Sequence, residues 1–216
     1  MKASQSSRQL CWQEKGILRD YTEIIKERLL ESASVKTELA RTSADLIQRI
    51  AEKAVTCFQN GGKILLCGNG GSAADSQHIA AELVGRFRMD RKPLPAIALT
   101  TDTSILLAVG NDMGIQKVFQ RQVEAFGRKG DILIGLSTSG NSPNVIRAIE
   151  SARAIGLFTV ALVGGTSCRL AELADLTVSV PSRDTARIQE SHITIGHLLC
   201  EIIEKSIFGE SNEIRL

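Results

Sequence analysis

Two pairs of side chains in this sequence have types and spacings suited to proton transfer. His78 and Glu82 stand four residues apart, so they share one face of a predicted helix and point at one site. Gln189 and His197 stand eight residues apart on the last predicted helix, about 12 Å along an ideal helix axis and too far to hold one ion comfortably. Either Gln189 precedes the regular helix or the site is assembled across chains. His192 lies on the same helix, where a lone histidine is usually neither ligand nor catalyst.

A loop rich in hydroxyl groups, residues 137–143 (Ser-Thr-Ser-Gly-Asn-Ser-Pro), follows a predicted strand. Ser142 can cap the next helix and Pro143 can be its first residue, which sets where that helix begins. Hydroxyls and amide N–H groups then converge at the positive end of the helix, which predicts a cradle for a phosphate monoester. A capped turn without a ligand is the alternative. The P-loop pattern is absent from the sequence, so nucleoside triphosphate hydrolysis is not expected.

A glycine-rich loop, residues 68–73 (Gly-Asn-Gly-Gly-Ser-Ala), also follows a strand and opens a helix. Its backbone N–H groups can face an anion or a sugar oxygen. The loop matches the dinucleotide fingerprint G-x-G-x-x-A, but the nearest acid, Asp102, lies 34 residues beyond Gly68 instead of about 20. A tight turn with no ligand remains open. A third loop, Gly110-Asn111-Asp112, could bind sugar hydroxyls but is by itself only a turn signal.

The elements that must position these residues follow from hydrophobic periodicity. Short apolar runs bounded by Gly, Pro or Asp predict strands, and helical stretches separate them. This alternation predicts an α/β fold with a parallel sheet and helices on both faces, in which ligands bind beyond the carboxyl ends of the strands. The predicted strands are Lys63–Gly68, Pro95–Thr100, Asp131–Leu136, Leu157–Val163 and Leu176–Val180. The predicted helices are Ala73–Phe87, Ile115–Phe126, Pro143–Ile155, Leu170–Ala174 and Arg187–Phe208.

The two ends of the chain are predicted to be helical. Residues 18–58 read as two helices broken near Ser32–Val35. The final helix carries an apolar stripe broader than one sheet face needs, which indicates burial against another subunit.

Composition excludes several classes of function. The 26 basic and 24 acidic residues leave a net charge of +2 with the signs interspersed, and aromatic residues make up only 4%, so no nucleic-acid partner is expected. No apolar run approaches the length of a membrane span, and the first residues lack a signal-peptide core, so a cytoplasmic protein without a membrane partner is expected. The five scattered cysteines predict reduced, buried thiols rather than disulfides or a cysteine-based metal site.

Four motifs together resemble a known family. CGNGGSAADSQHIAAE, GND, LSTSGNS and RIQESHITIGH occur in this order and resemble the phosphoheptose isomerases, also called sedoheptulose 7-phosphate isomerases, of the sugar isomerase (SIS) domain superfamily. The resemblance runs from about Ala40 to the last helix. It implies a three-layer, flavodoxin-like sandwich with a five-stranded parallel sheet and an N-terminal helical arm that helps to build a homotetramer. Residues 1–216 would form a single SIS domain, with N-terminal helices at about 12–60 and the α/β core at about 61–208.

The resemblance also implies an activity. Members interconvert sedoheptulose 7-phosphate and D-glycero-D-manno-heptose 7-phosphate, the first step towards activated heptose for surface polysaccharides such as lipopolysaccharide. Such an aldose–ketose isomerisation moves a proton between adjacent carbons through an enediol. A carboxylate and an imidazole suit this task because their neighbours can tune both towards neutral pH.

Site residues carry over from the family motif by motif. The sugar-binding residues fall on Asn69, Gly70, Gly71, Ser72, Glu82, Asn111, Asp112 and Gln189, and the phosphate-binding hydroxyls on Ser137, Thr138, Ser139 and Ser142. The resemblance implies one zinc ion per subunit, with His78, Glu82, Gln189 and His197 as ligands. It also implies Glu82 and His197 as the acid/base pair. One departure is Ala186, where some members have an aspartate; Asp184 is close but not aligned.

Other functions compete with this interpretation. Non-catalytic SIS adaptors that assemble on the replication initiator share the fold and the hydroxyl loop but need not keep the acid/base residues, all of which are present here. Isomerases of other sugar phosphates, such as arabinose 5-phosphate, usually carry additional regulatory domains. A transcriptional regulator would need a helix-turn-helix and a basic face, and neither is seen.

Overall fold

A computed structural model of the chain describes residues 20–165 and 167–209. In chain order the elements are α1 Thr22–Gln59, β1 Ile64–Gly68, α2 Gly71–Val84, β2 Ala96–Ala98, α3 Thr103–Met113, a short 3-10 helix Ile115–Lys117, α4 Val118–Phe126, β3 Ile132–Ser137, α5 Pro143–Ala154, β4 Phe158–Gly164, α6 Arg169–Leu173, β5 Leu176–Val180 and α7 Thr185–Phe208. All five predicted strands are present. Their ends differ from the predicted ones by two residues at most.

The strands form one parallel sheet in the order β2-β1-β3-β4-β5. From β1 the chain first passes to β2 at one edge and then returns to β3 on the other side of β1. The order therefore reverses between β1 and β3, and the crevice beyond their carboxyl ends is the topological switch point where ligands bind in such sheets. Gly68 at the end of β1 pairs with Leu136 in β3, so the glycine loop and the hydroxyl loop leave the sheet side by side.

Two hydrophobic cores, one on each face of the sheet, confirm the predicted three-layer α/β fold. Ile64 and Leu66 of β1 pack with residues of α1, α2 and α7 on one face. Leu65 and Cys67, which alternate with them, pack with residues of α4, α5 and α6 on the other. The inner strands β1 and β3 are buried along their whole length, as expected for strands covered on both faces.

The helix α1 corrects the prediction of two N-terminal helices. It runs unbroken for 38 residues, Thr22–Gln59, because it contains no glycine or proline to end a helix. Side chains of α7 hold it at the expected break: Ser32 donates a hydrogen bond to Glu190, and Arg187 donates to the carbonyl of Arg28. The predicted start of the arm, residues 12–19, lies outside the described residues.

The helix α3 was not predicted, and it includes the residues that were expected to form a loop, Gly110-Asn111-Asp112. Its apolar residues form a continuous run instead of a helical stripe, and none of its residues is buried, so hydrophobic periodicity did not reveal it. Local signals mark both ends. The Asp102 carboxylate accepts a hydrogen bond from the backbone N–H of Ile105, as an N-cap does, and Gly114 ends the helix with φ of 90°.

Two expectations from composition can be compared with the structure. Cys57, Cys67, Cys168 and Cys200 are free thiols and buried, as predicted; Cys11 lies outside the described residues. Among the helices of residues 20–165 and 167–209, none has both the length and the apolar character to cross a membrane.

Candidate active site

The helices α2 and α7 approach closely because glycines stand at two points of contact. A Cβ atom at Gly196 would lie 2.5 Å from Cδ1 of Ile79, and one at Gly71 would lie 2.5 Å from Nε2 of Gln189. Both separations are shorter than van der Waals contact allows, so a larger residue at either glycine would displace its neighbour. This packing brings the side chains that follow on α2 against those of α7.

His78, Glu82 and His197 meet where α2 packs on α7. The two histidine Nε2 atoms lie 2.9 Å apart, and Nε2 of His78 lies 3.4 Å from a carboxylate oxygen of Glu82. The ring of Phe87 stacks on the imidazole of His197 with centroids 5.5 Å apart. A carboxylate and two imidazoles thus share one partly exposed site, and one chain supplies all three.

The same three residues form a group that could hold a metal ion. Their ligand atoms all lie within 4.8 Å of one another. Ligand atoms about 2.1 Å from a tetrahedral zinc ion lie about 3.4 Å from each other, comparable to the 2.9 Å and 3.4 Å separations found here. Imidazole and carboxylate are donors that zinc accepts. The residues present therefore fit the ion that the sequence motifs imply.

Gln189 lies inside α7. This excludes the alternative that Gln189 precedes the regular helix and leaves the alternative of a site assembled across chains. The helix begins at Thr185 because the carboxylate of Asp184 caps it, accepting hydrogen bonds from the backbone N–H groups of Ala186 and Arg187. The amide of Gln189 rests against Gly71, two helical turns before His197. On this chain Gln189 thus contacts the glycine loop, at the first residue of α2.

The hydroxyl loop has the geometry predicted for an anion cradle. Ser142 is the N-cap residue of α5 and Pro143 is its first residue, although the Ser142 side chain bonds to Ser137 rather than to the helix. The hydroxyl of Ser137 lies 2.9 Å from that of Ser142 and 3.5 Å from that of Ser139. Gly140 turns the chain with φ of 65°. The hydroxyls thus gather at the positive end of a helix.

The glycine loop faces the same crevice. Gly70 turns the chain with φ of 54° and precedes the first residue of α2. Asn69 is exposed, whereas Ser72 is buried against Gly68. An open cavity of about 330 Å³ lies between Asn69, Asn144, Pro143 and the 3-10 helix.

Two further residues of the expected set lie at the end of α3. Asn111 and Asp112 are exposed in its last turn, and the Asn111 amide donates to the Asp112 carboxylate over 2.8 Å.

The third histidine, His192, is separate from this cluster. It is fully buried, and neither ring nitrogen has a hydrogen-bond partner among residues 20–165 and 167–209. Burial lowers the pKa of its imidazole to about 4, because a charged ring loses its hydration there. His192 is therefore neutral at physiological pH.

Sequence reasoning missed three residues that support the site. Asn144 forms paired hydrogen bonds with Asn69 across the crevice, and Phe87 covers His197. Arg91 forms a buried ion pair with Glu204 of α7 and donates to the Glu82 carbonyl at the end of α2. Each contact joins residues distant in sequence, so no local pattern announces it.

Comparisons with known proteins agree with this geometry. Residues 29–164 match the model of the SIS domain family. The chain is 54% identical over 190 residues to the phosphoheptose isomerase of Roseiflexus sp. (strain RS-1), which covers 88% of this chain and 96% of the relative. The chain belongs to the phosphoheptose isomerase family of SIS domain proteins.

Solved structures of phosphoheptose isomerases have the same fold. The phosphoheptose isomerase of Neisseria gonorrhoeae superposes with a TM-score of 0.81 at 44% identity, covering 85% of this chain and 98% of its own. That of Francisella tularensis superposes with a TM-score of 0.82 at 40% identity over the same shares. The predicted SIS fold is thereby confirmed, while the extent of a single domain over residues 1–216 stays a prediction.

Proposed function

We propose that this phosphoheptose isomerase family member converts sedoheptulose 7-phosphate to D-glycero-D-manno-heptose 7-phosphate. The observation that carries the proposal is the meeting of Glu82 with His78 and His197 on α2 and α7, because an aldose–ketose isomerisation needs an acid/base pair at one site. Identity above 50% to phosphoheptose isomerases over most of the chain supports the substrate.

Glu82 and His197 divide the proton transfers between them. Glu82 takes the carbon-bound proton and returns it to the neighbouring carbon, while His197 moves a proton between the two oxygens of the enediol. His197 is held for this task by Phe87, whose ring stacks on it. The side chain of Glu82 is 24% exposed, so substrate can reach its carboxylate.

The proposed cofactor is one zinc ion per subunit. His78, Glu82 and His197 would hold it. Because Gln189 lies two helical turns from His197 on the same chain, the fourth ligand would be the amide of Gln189 from a neighbouring subunit. When bound, zinc supplies Lewis-acid polarisation of the sugar carbonyl.

The phosphate end of the substrate binds at the hydroxyl loop. Ser137, Thr138, Ser139 and Ser142 surround the positive end of α5, where neutral donors and the helix dipole favour an anion. The glycine loop, with Asn69, Gly70 and Gly71, binds the sugar between the phosphate-binding hydroxyl loop and the acid/base residues. From Gly71 to His78 the rise of α2 is about 10 Å, comparable to the length of an open-chain heptose phosphate.

Ser139→Ala and Thr138→Val should raise KM for the sugar phosphate; an unchanged KM would place the phosphate elsewhere.

Product identification tests the function. The purified protein is incubated with sedoheptulose 7-phosphate, with and without a chelator, and the products are followed by NMR. A new aldose signal at a rate proportional to enzyme supports the proposal, and its loss on chelation supports the metal. No conversion by metal-loaded protein, together with binding to the replication initiator, would favour an adaptor instead.

Two further features remain proposals. We infer a homotetramer, since apolar side chains on the N-terminal half of α1 are exposed on the single chain. The cytoplasmic location predicted from the sequence is the compartment proposed for this activity.

A further inference from the structure

Asn144 links the end of the hydroxyl loop to the glycine loop. It is the second residue of α5 and only 7% exposed. Its side-chain amide donates to Oδ1 of Asn69 over 2.8 Å, and Nδ2 of Asn69 donates back to its Oδ1 over 2.9 Å. Among the described residues no other side-chain hydrogen bond joins the glycine loop to the hydroxyl loop or to the start of α5. The pair therefore spans the switch point between the ends of β1 and β3.

The orientation of both amides follows from one backbone group. Oδ1 of Asn144 also accepts a hydrogen bond over 3.1 Å from the backbone N–H of Val145, which donates to the carbonyl of Ser142 as well. This contact holds the oxygen side of Asn144 towards its own helix. Its Nδ2 must then face Oδ1 of Asn69. The amide of Asn69 cannot turn over without placing oxygen against oxygen and nitrogen against nitrogen.

This arrangement leaves Asn69 with a defined binding capacity. A carboxamide has two N–H donors and two acceptor lone pairs, and Asn144 uses one of each. One N–H and one lone pair of Asn69 remain, aimed in fixed directions. Asn69 is exposed and lines the open cavity of about 330 Å³, so the remaining groups are accessible to a sugar hydroxyl.

We propose that Asn144 is a positioning residue of the isomerase. It orients the amide of Asn69 for the sugar from the start of α5, directly after the phosphate cradle in the chain. The inference rests on the proposed function, since it takes the ligand to be a sugar phosphate, but it concerns binding and can be measured without turnover.

The test separates the sugar from the phosphate. Calorimetry gives the affinity of wild type and variants for sedoheptulose 7-phosphate and for inorganic phosphate, which probes the hydroxyl loop alone. Asn144→Ala should weaken sugar phosphate binding and lower kcat/KM by about tenfold, the effect of losing one oriented hydrogen bond, with phosphate affinity changed less than about threefold. Equal losses for both ligands, or affinity and kcat/KM within twofold of wild type, would overturn the proposal.

A double variant tests whether Asn144 acts through Asn69. If it does, Asn69→Ala/Asn144→Ala should lose no more than about twice what Asn69→Ala loses alone, because the second substitution removes nothing further. Losses that multiply would show that Asn144 acts on the substrate by another route. Asn60→Ala, the same substitution on the far side of the sheet, is the control and should behave as wild type.

A second variant covers the case in which Asn144→Ala does not fold. Asn144→Leu keeps nearly the same volume and adds no charge beside the hydroxyl loop, but it has no N–H for Asn69. It should melt within a few degrees of wild type and still lose sugar phosphate affinity selectively. Wild type that binds sedoheptulose 7-phosphate without converting it would overturn the proposed function alone, and the affinities would still decide the role of Asn144. Wild type that binds neither ligand would overturn both.

Discussion

At the scale of single residues, three side chains define the acid/base site. The Nε2 atoms of His78 and His197 lie 2.9 Å apart, and a carboxylate oxygen of Glu82 lies 3.4 Å from Nε2 of His78. The ring of Phe87 stacks on that of His197. The carboxylate and the imidazoles are therefore close enough to act on one substrate.

The acid/base roles predict the effect of amide substitutions. Glu82→Gln and His197→Gln keep the size of each side chain but cannot exchange the required proton. Each should lower kcat on sedoheptulose 7-phosphate by about a hundredfold or more, measured by coupled assay or NMR. Glu201→Gln, on the same helix as His197, is the matched control and should retain activity. Near-normal turnover in either active-site variant would remove that residue from the mechanism.

His192 predicts how stability depends on pH. Burial lowers its pKa to about 4 in the folded protein, against about 6.5 in an unfolded chain. Between these values the unfolded state binds more protons, so stability falls as the pH drops below about 6.5 and levels off below about 4. From pH 7 to pH 5 this group should remove about 1–2 kcal/mol from the free energy of unfolding.

A variant isolates this contribution. His192→Leu has no proton to bind, so its free energy of unfolding, measured with urea at several pH values, should show a slope smaller by up to one proton between pH 5 and pH 6. A slope equal to that of wild type would contradict the assignment. The difference between the two curves matters here, because it cancels the contributions of the other titrating groups.

At the scale of elements, a buried ion pair fastens α2 to α7. The Arg91 and Glu204 side chains are each 1% exposed and joined over 2.9 Å. Glu204 also accepts hydrogen bonds from the backbone N–H groups of Phe87, Arg88 and Met89. Burial tends to raise the pKa of Glu204, but these hydrogen bonds and Arg91 outweigh it and lower the pKa. The pair thereby fixes the segment that places Phe87 on His197.

Two ion pairs of equal length, one buried and one exposed, allow the effect of burial on the free energy of unfolding to be tested. Arg91→Met leaves the Glu204 charge buried without its partner and should lower the free energy of unfolding by about 3–5 kcal/mol. The Arg169–Glu172 pair is also 2.9 Å long, but its side chains are 52% and 64% exposed. Arg169→Met should therefore cost less than about 1 kcal/mol. Chemical denaturation measures both, and equal losses would show that burial does not set the difference.

The elements themselves were predictable to different degrees. The strands are short apolar runs between breakers, so their positions were visible in the sequence. The unbroken α1 was not predicted, although its sequence contains no glycine or proline. Arg187 and Glu190 of α7 contact it at Arg28 and Ser32, where the break was expected. The helix α3 was missed because it buries no residue in the single chain. A helix without a buried stripe carries no periodic signal.

At the scale of the whole molecule, apolar side chains in the first turns of α1 are exposed among the residues that the structure describes. Leu29 and Leu30 are 66% and 71% exposed, and Tyr21, Ile24 and Ile25 are at least half exposed. A cluster of this kind is typical of a surface between subunits. The exposed α3 and the broad apolar stripe of α7, where Leu198 is 41% exposed, fit the same interpretation.

The proposed homotetramer predicts the effect of charge on this surface. Leu29→Glu/Leu30→Glu should shift the protein to smaller species, because burying two carboxylates costs more than the apolar contact returns. Light scattering coupled to size-exclusion chromatography measures the mass. Thr37→Glu adds a charge at an exposed polar position of the same helix and should leave the mass unchanged. An unaltered mass for the double variant would place the subunit contacts elsewhere.

Sequence alone determined the parallel α/β architecture and the loops that follow β1 and β3, because periodicity and turn chemistry are local properties. It also indicated which residue types could do the chemistry. Tertiary structure decided which of them meet: His78 and His197 are 119 residues apart in the chain, and Asn69 and Asn144 are 75 apart. Such contacts depend on how helices pack across the sheet and on the glycines that let α2 approach α7, and no local pattern encodes that geometry.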